Sequence, residues 1–255
     1  MSPAIAIIGS GNVATQLGLA LQNKGLNIAC VYSKTHNNAI ALAQLLDTKA
    51  VQFTNEIPNN LDWYIIAVND DAIAAVSAQL NVNGIVTHTS GSVSIEVLCK
   101  HERRGVFYPL QTITKNANID FSAINILVES ADENDAILIK KYAKLLSDKV
   151  LEVSSAQRQM LHVAAVFANN FTNHLMGIAK EILETNNLPT NLLDDLILQT
   201  ANKATLQHPF SIQTGPKVRN DINTINKHIE LLQSNSDYLR LYLLLTESIG
   251  SKTNH

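Results

Sequence analysis

IAIIGSGNVATQLGLALQNKG, residues 5–25, is the stretch that decides the fold of this chain. A short apolar run ends at Gly9, and apolar side chains then recur at helical spacing from residue 12 to residue 24. A buried strand that ends in a tight turn, with a helix starting at once, is typical of the first unit of an α/β domain.

The turn itself has the pattern Gly-x-Gly-x-x-Ala. Gly9 permits the tight turn, Gly11 leaves no side chain between the backbone and a ligand, and Ala14 lets the helix pack closely on the sheet. The free amides and positive dipole of the helix N-terminus then favour an anion. An ordinary strand–helix turn is the alternative, but the context favours a dinucleotide pyrophosphate, held by Gly9, Ser10, Gly11, Asn12 and Val13.

The end of the second predicted strand indicates which dinucleotide binds. An NAD site places an acidic residue there, to accept from the ribose 2′-hydroxyl. Here the chain reads VYSKTH at 31–36, and the next carboxylate is Asp47. A hydroxyl at Ser33 and a cation at Lys34 suit a 2′-phosphate, so the sequence favours NADP; the alternative is a solvated turn that caps the next helix.

Short β-rich runs alternate with helical patterns through residues 4–154. This alternation predicts a Rossmann-type, doubly wound and mainly parallel sheet, covered by helices on both faces. The predicted strands are 4–9, 27–33, 50–53, 63–68, 84–89, 105–108, 124–129 and 150–154, and the predicted helices are 12–24, 37–47, 71–80, 94–102 and 133–147.

After Ser154 the pattern becomes entirely helical. Residues 156–187 repeat apolar positions at three- and four-residue steps and predict one long helix, followed by helices at 191–207, 220–233 and 237–249. We therefore predict an NADP-binding Rossmann domain at 1–154 and an all-α substrate and dimerisation domain at 155–255. The helical part has more apolar surface than one Rossmann face can cover, which favours a homodimer built through it.

Composition narrows the class of partner. The formal charge is −3 with 19 Lys and Arg, which argues against a general electrostatic grip on nucleic acid or an anionic membrane. Two distant cysteines without metal-ligand spacing favour a reduced, cytoplasmic setting and no metal. The sequence has neither an apolar run of 18 residues nor a signal-peptide pattern. A small-molecule ligand is the expected partner.

Two further strand ends carry polar residues on the predicted ligand side. The fourth strand runs into Val68, Asn69 and Asp70, which should edge the cofactor, although Asp70 or Asp71 could equally cap a helix. The fifth runs into His88 and Ser90, which could reach a substrate. A buried, satisfied histidine is an equal alternative for His88.

The order and spacing of these motifs resemble a bacterial family of Rossmann-like proteins with a helical C-terminal domain of unknown function. The motifs are the fingerprint, AVNDDAI at 67–73, HTSGS at 88–92, GVFYPLQT at 105–112, HVAAVFANNF at 162–171 and TGPKVRND at 214–221. Members are described as NADP oxidoreductases, and the chain is more distantly similar to pyrroline-5-carboxylate reductase and deazaflavin-dependent NADP reductases. The resemblance spans essentially the whole chain and implies an NADP cofactor.

The long helix bears on the chemistry. In the related β-hydroxyacid dehydrogenases it carries a lysine acid/base before an Asn pair; Asn169 and Asn170 resemble that pair, but Ala165 and Val166 stand where the lysine would fall. His162 lies about two turns before Asn169, so the sequence offers His162 as the proton carrier and Asn169 as its catalytic partner. Both could instead satisfy backbone or interhelical hydrogen bonds.

These residues predict hydride transfer between the nicotinamide and a small carbonyl or imine substrate. Arg219 could bind an anionic substrate through two donors. The alternative is that Arg219 only forms an ion pair at the protein surface. The predicted substrate residues are His88, Ser90, Tyr108, Gln111, Asn170 and Arg219. Two rivals remain open: a sensor that binds NADP and an effector without turnover, and a nucleotide domain that mainly positions a dimerisation module.

Overall fold

The structure is a computed structural model that describes residues 2–114 and 119–253. The chain divides into two compact units, residues 1–165 and 166–255.

The first unit is built on an eight-stranded sheet in the order β3-β2-β1-β4-β5-β6-β7-β8. All neighbouring strands run parallel except β6 and β7, which are antiparallel. The doubly wound, mainly parallel Rossmann fold is therefore confirmed. The strands are β1 (Ala4–Ile8), β2 (Asn27–Tyr32), β3 (Lys49–Val51), β4 (Trp63–Ile66), β5 (Ile85–His88), β6 (Arg104–Pro109), β7 (Ile126–Ser130) and β8 (Val150–Glu152).

Helices cover both faces of this sheet. The two faces bury separate apolar clusters, one around Trp63 and Phe107 and the other around Tyr64 and Ile66. Burial on both faces explains why the central strands read as continuous apolar runs. The helices of this unit are α1 (Asn12–Asn23), α2 (His36–Leu45), α3 (Ile73–Gln79), α4 (Glu133–Leu146) and α5 (Ser155–Ala165).

The helix predicted at 94–102 is wrong. The segment forms only a 3₁₀ turn, Ile95–Leu98, in which the Ser94 hydroxyl accepts from the Glu96 amide. Ile95 and Leu98 are both buried. Because a 3₁₀ helix has three residues per turn, one turn places both on the same side before the chain enters β6 at Arg104.

The two units meet within the long helical segment, after the boundary predicted at residue 154. Helix α5 belongs to the sheet unit because its first turn bonds to β7: the Ser155 amide donates to Glu129 Oε1 over 2.8 Å, and Arg158 pairs with the same carboxylate. These polar contacts of Ser155 and Arg158 leave no trace in the spacing of apolar residues. The apolar pattern changes at the end of the last strand, and the predicted boundary was placed there.

The second unit is helical, as predicted. It begins with a π-helical segment, Val166–Phe171, inside the run predicted as one continuous helix. Helices α6 (Thr172–Thr185), α7 (Asp194–Leu206), α8 (Ile222–Leu232) and α9 (Ser236–Thr253) follow. No helix in the described part of the chain has the length and hydropathy needed to cross a membrane.

Candidate functional site

Pairing across the sheet aligns the carboxyl ends of β1, β4 and β5 with one another and with the middle of β6. Ile8 of β1 pairs with Ile66 of β4, Ile66 with His88 of β5, and His88 with Val106 of β6. The residues that follow this row therefore emerge at one edge, and the strand order reverses between β1 and β4. Ligands of open α/β sheets bind at such a reversal.

The fingerprint turn lies at this edge and fits a pyrophosphate. Gly9 has a φ of +127°, and a Cβ there would lie 2.1 Å from the Ala67 carbonyl oxygen, so only glycine fits. Gly11 precedes α1, and nothing lies within 4 Å of the position its Cβ would take. With no side chain at Gly11 to cap α1, the first-turn amides are available to an anion.

Two serines join the fingerprint to the end of β2. The hydroxyls of Ser10 and Ser33 are 2.8 Å apart, and Ser33 is buried. Lys34, the next residue, is exposed. The hydroxyl and the cation predicted for a 2′-phosphate thus stand directly beside the fingerprint.

The turn after β4 is tied to the loop after β5. Asn69, which follows the half-buried Val68, is the N-cap residue of the 3₁₀ turn Asp70–Ala72. The Asp70 carboxylate accepts a hydrogen bond from the Ser92 hydroxyl. The cap expected at Asp70 or Asp71 is therefore wrong, because the N-cap position falls on Asn69. Asp70 instead links the turn after β4 to residues 89–94.

His88, the last residue of β5, and Ser90, within that loop, are both buried. The Ser90 amide donates to His88 Nδ1 over 3.2 Å, and the Ser90 hydroxyl accepts from the amides of Ser92 and Val93, both at 3.1 Å. Burial, with the charge of Arg158, lowers the pKa of His88 to about 4, outweighing a backbone hydrogen bond with Ser94. His88 is thus a buried, neutral imidazole bonded to the loop through Nδ1, and its role toward a substrate stays a prediction.

Tyr108 and His162 form a hydrogen-bonded pair at the same edge. The Tyr108 hydroxyl lies 3.1 Å from His162 Nδ1, and both residues are half-buried. Tyr108 stands near the end of β6 and His162 on α5, so two elements fix the pair. Both residues were predicted from the sequence to belong to the site. The Tyr108 hydroxyl can donate a proton, and the neighbouring His162 can replace it.

Gly91 packs directly on this pair. A Cβ at Gly91 would lie 2.6 Å from His162 Nδ1 and 2.9 Å from the Tyr108 hydroxyl oxygen. Only a glycine lets the backbone approach so closely. The backbone of the loop is therefore one wall of the Tyr108–His162 pair.

Charges around the pair act on Tyr108 in opposite directions. Burial raises the pKa of Tyr108; the charge of Arg158 lowers it, and Asp70 raises it. The net direction is upward, so Tyr108 keeps its proton near neutral pH. A protonated phenol is the form that can act as a general acid.

Arg158 binds the loop to the sheet. Its side chain is fully buried; Nη1 and Nη2 each donate to the Val93 carbonyl over 2.9 Å, and Nη2 also donates to Glu129 Oε2 over 2.9 Å. At the next residue, Gln159 Nε2 donates to the Ser92 carbonyl over 2.8 Å. Helix α5 thus holds the loop at two successive points.

The sequence reading missed Arg158, Gly91, Glu129 and Ser92. A signal for Arg158 was present, because it lies four residues before His162 and therefore on the same side of a helix. The other three have no such signal: their roles depend on which loop lies beside which strand.

The remaining predicted residues are distributed as follows. Gln111 is exposed, and its Oε1 accepts from the Thr112 amide. Asn169 and Asn170 lie in the π-helical segment of the second unit, and Arg219 is exposed in the turn before α8 of that unit. Their roles toward a catalyst or substrate stay predictions.

These features define a Rossmann-type dinucleotide-binding protein with a helical C-terminal part. Residues 4–93 match the family described as NADP oxidoreductase coenzyme F420-dependent, and residues 124–249 match the Domain of unknown function (DUF2520). The chain belongs to the oxidoreductase family that joins these two parts.

Solved structures support this assignment. A protein from Bacteroides fragilis described as a "putative NADP oxidoreductase" is 36% identical, over 98% of both chains, with a TM-score of 0.89. A Thermotoga maritima protein is 23% identical, over 98% of both chains, with a TM-score of 0.75. A pyrroline-5-carboxylate reductase from Coxiella burnetii, 17% identical over 100% of this chain and 98% of its own, has a TM-score of 0.60. The last two show the fold alone. No curated protein matches the sequence.

Proposed function

We propose that this protein is an NADP-dependent oxidoreductase that transfers a hydride between the nicotinamide and a small carbonyl or imine substrate. The observation that carries the proposal is the Tyr108–His162 hydrogen bond, 3.1 Å long, at the carboxyl edge that also bears the fingerprint turn. Hydride transfer to a carbonyl needs a proton for the oxygen, and a tyrosine hydroxyl bonded to an imidazole at this edge supports that role.

The cofactor proposal rests on the N-terminal strand ends. The first-turn amides of α1 and the open space at Gly11 would hold the pyrophosphate, while Ser33 and Lys34 would face the 2′-phosphate. Val68, Asn69 and Asp70 would edge the nicotinamide half. When bound, NADPH supplies the hydride.

The protein's own residues would supply the proton. In reduction, the Tyr108 hydroxyl gives its proton to the carbonyl oxygen or imine nitrogen as the hydride reaches the adjacent carbon. His162 then returns a proton to the phenolate through Nδ1, and the half-buried imidazole recovers one from solvent. Atoms balance, because one hydride and one proton enter the substrate.

The test is NADPH consumption with a panel of small carbonyl and imine compounds. For a compound that is turned over, Tyr108→Phe should lower kcat by roughly a hundredfold or more, since general acid catalysis contributes about that much. The affinity for NADPH should not change.

Tyr142→Phe is the matched control. Tyr142 is buried against Trp63, with ring centroids 4.9 Å apart, and lies on α4. This variant should keep full turnover. If the protein bound NADPH tightly but consumed it with no member of the panel, the geometry would instead support the sensing role.

A further inference from the structure

The proposed function leaves the buried Arg158 without a role, although it is the one fully buried arginine side chain among the residues that the structure describes. Its head group bonds to Val93 and Glu129, within the loop and the strand that flank the Tyr108–His162 pair. A buried arginine with a partner of this kind is costly to break, because removing one member leaves the other charge unpaired.

We propose that Arg158 is a positioning residue that holds the loop of residues 89–94 so that the Gly91 backbone packs on Tyr108 and His162 and keeps them in hydrogen-bonding contact. This inference rests on the proposed function only for its consequence in turnover.

The geometry of α5 carries the first step. Ser155, Arg158 and His162 follow at steps of three and four residues and so share one side of the helix. Ser155 and Arg158 both bond to Glu129, at 2.8 Å and 2.9 Å, which fixes this side of α5 on β7. His162, one turn further on, is thereby placed at a set distance from β6 and Tyr108.

The loop supplies the second step. Two donors of Arg158 converge on the Val93 carbonyl, two residues after Gly91. Ser90 closes the loop from the other side through its hydroxyl, which accepts from the Val93 amide. Gly91 therefore lies between two held residues, and its missing side chain is the space that the Tyr108–His162 contact uses.

Charge supplies the third step. The charges that act on Tyr108 are Arg158 from α5 and Asp70 from the turn after β4, and its hydrogen-bond partner is His162 from α5. Arg158 is the cation that lowers the pKa of Tyr108, against the larger effect of burial. Replacing it by an apolar residue should therefore raise the pKa of Tyr108 further.

Position is tested by the ¹⁵N chemical shift of His162 Nδ1, which reports its hydrogen bond, in the full-length protein without substrate. Arg158→Met and Gly91→Ala should both move this signal toward that of Tyr108→Phe, in which the bond is absent. Arg158→Lys keeps the positive charge but has its donors on a single nitrogen, so its signal should fall between those of the wild type and Arg158→Met. A folded Arg158→Met protein with the wild-type signal overturns the proposal; if that variant does not fold, the Lys variant decides in the same way.

Charge is tested by a crossed comparison with Arg103, whose ion pair with Asp135 lies beside Tyr142 and lowers the pKa of that tyrosine. With ¹³C-labelled tyrosine rings, Arg158→Met should move the midpoint of Tyr108 ionisation to higher pH and leave that of Tyr142 unchanged. Arg103→Met should do the reverse. Equal effects of both variants on Tyr108 would overturn the assignment.

Turnover separates this inference from the proposed function. With a compound that the wild type reduces, Arg158→Met should lower kcat at least tenfold, with the KM for NADPH within twofold, and Arg158→Lys should recover part of the loss. If the wild type reduces nothing while both spectroscopic results hold, the proposed function fails and the positioning role of Arg158 stands.

Discussion

At the residue scale, the site depends on a few buried polar groups whose protonation is fixed by their surroundings. His88 has no exposed surface and accepts a hydrogen bond from the Ser90 amide through Nδ1. That bond requires an unprotonated Nδ1, and burial penalises the charged ring. The loop after β5 is therefore built on a neutral histidine.

This gives a pH dependence of stability. The pKa of His88 is about 4 in the folded protein and about 6.5 when unfolded, so the unfolded chain binds more protons between these values. The contribution is fully present above pH 6.5 and is lost as the pH falls toward 4, to a total of roughly 3 kcal/mol. Chemical denaturation at a series of pH values should show this fall.

The His88→Asn variant isolates the effect. Its side-chain oxygen can still accept from the Ser90 amide but does not titrate in this range. The variant should lose less stability than the wild type on acidification. His101, whose pKa burial also lowers, contributes to both proteins equally. Identical acid profiles for the two proteins would contradict a neutral, buried His88.

Lys34 is the residue on which cofactor choice should depend. It is exposed and follows Ser33, whose hydroxyl is engaged with Ser10. We expect tighter binding of NADPH than NADH in calorimetry, a preference that Lys34→Ala reduces and Lys34→Asp reverses, because a carboxylate repels the 2′-phosphate. Lys24→Ala, at the opposite end of α1, should change neither affinity. Tighter NADH binding by the wild type would contradict the prediction.

At the element scale, most of the sheet could be predicted from sequence, because each strand is an apolar run bounded by turn residues. All eight predicted strands are present, with ends shifted by a few residues. The helix predicted at 94–102 was wrong because the three-residue spacing of Ile95 and Leu98 fits a 3₁₀ turn as well as an α-helix. The π-helical segment Val166–Phe171 was missed because its composition is that of an ordinary helix.

The junction of β1 and α1 gives an element-scale prediction. Gly11→Ala meets no atom within 4 Å, so the fold should accept it with a loss of less than about 1 kcal/mol at the helix cap. The new methyl group would occupy the space assigned to the pyrophosphate, and the affinity for NADPH should fall at least tenfold. Calorimetry and thermal unfolding of the same sample measure both quantities.

Gly177→Ala is the control for that experiment. It too meets no atom within 4 Å, but it lies within α6. An alanine there should slightly stabilise the helix and leave NADPH binding as it is. If Gly11→Ala bound NADPH as tightly as this control, the pyrophosphate would have to lie elsewhere.

At the scale of the whole molecule, the two units differ in how completely they bury their apolar side chains. In residues 166–252, whose side chains are described, Ile225 is the only buried hydrophobic. Leu206 and Leu231 are 81% and 77% exposed. Further large apolar side chains of this unit are exposed on every helix, among them Leu175, Ile182, Leu196, Leu198, Ile222, Leu243, Leu244 and Leu245.

The candidate site could be predicted only in part for a reason that belongs to this scale. Tyr108 and the fingerprint turn lie at one edge because each is near the carboxyl end of a strand. In a parallel sheet these ends share one edge, so the sequence can predict which residues lie there. The contacts of Arg158 with Val93 and of Gly91 with His162 join segments about 65 to 70 residues apart. No local pattern encodes such a pairing, so it had to come from the three-dimensional fold.

The exposed helices argue for a second copy of this chain as their partner. Exposed apolar surface of this extent is typical of an interface, and a homodimer interface rich in leucine would cover it. Light scattering at micromolar concentration should therefore give twice the mass of one chain.

Leu244→Arg, on α9, places a charge on this surface and should shift the protein toward monomer and lower its unfolding temperature. Ile137→Arg replaces an equally exposed side chain on α4 of the first unit and should leave the mass unchanged. A wild-type mass of one chain would contradict the dimer, and the apolar helices would then require a different partner.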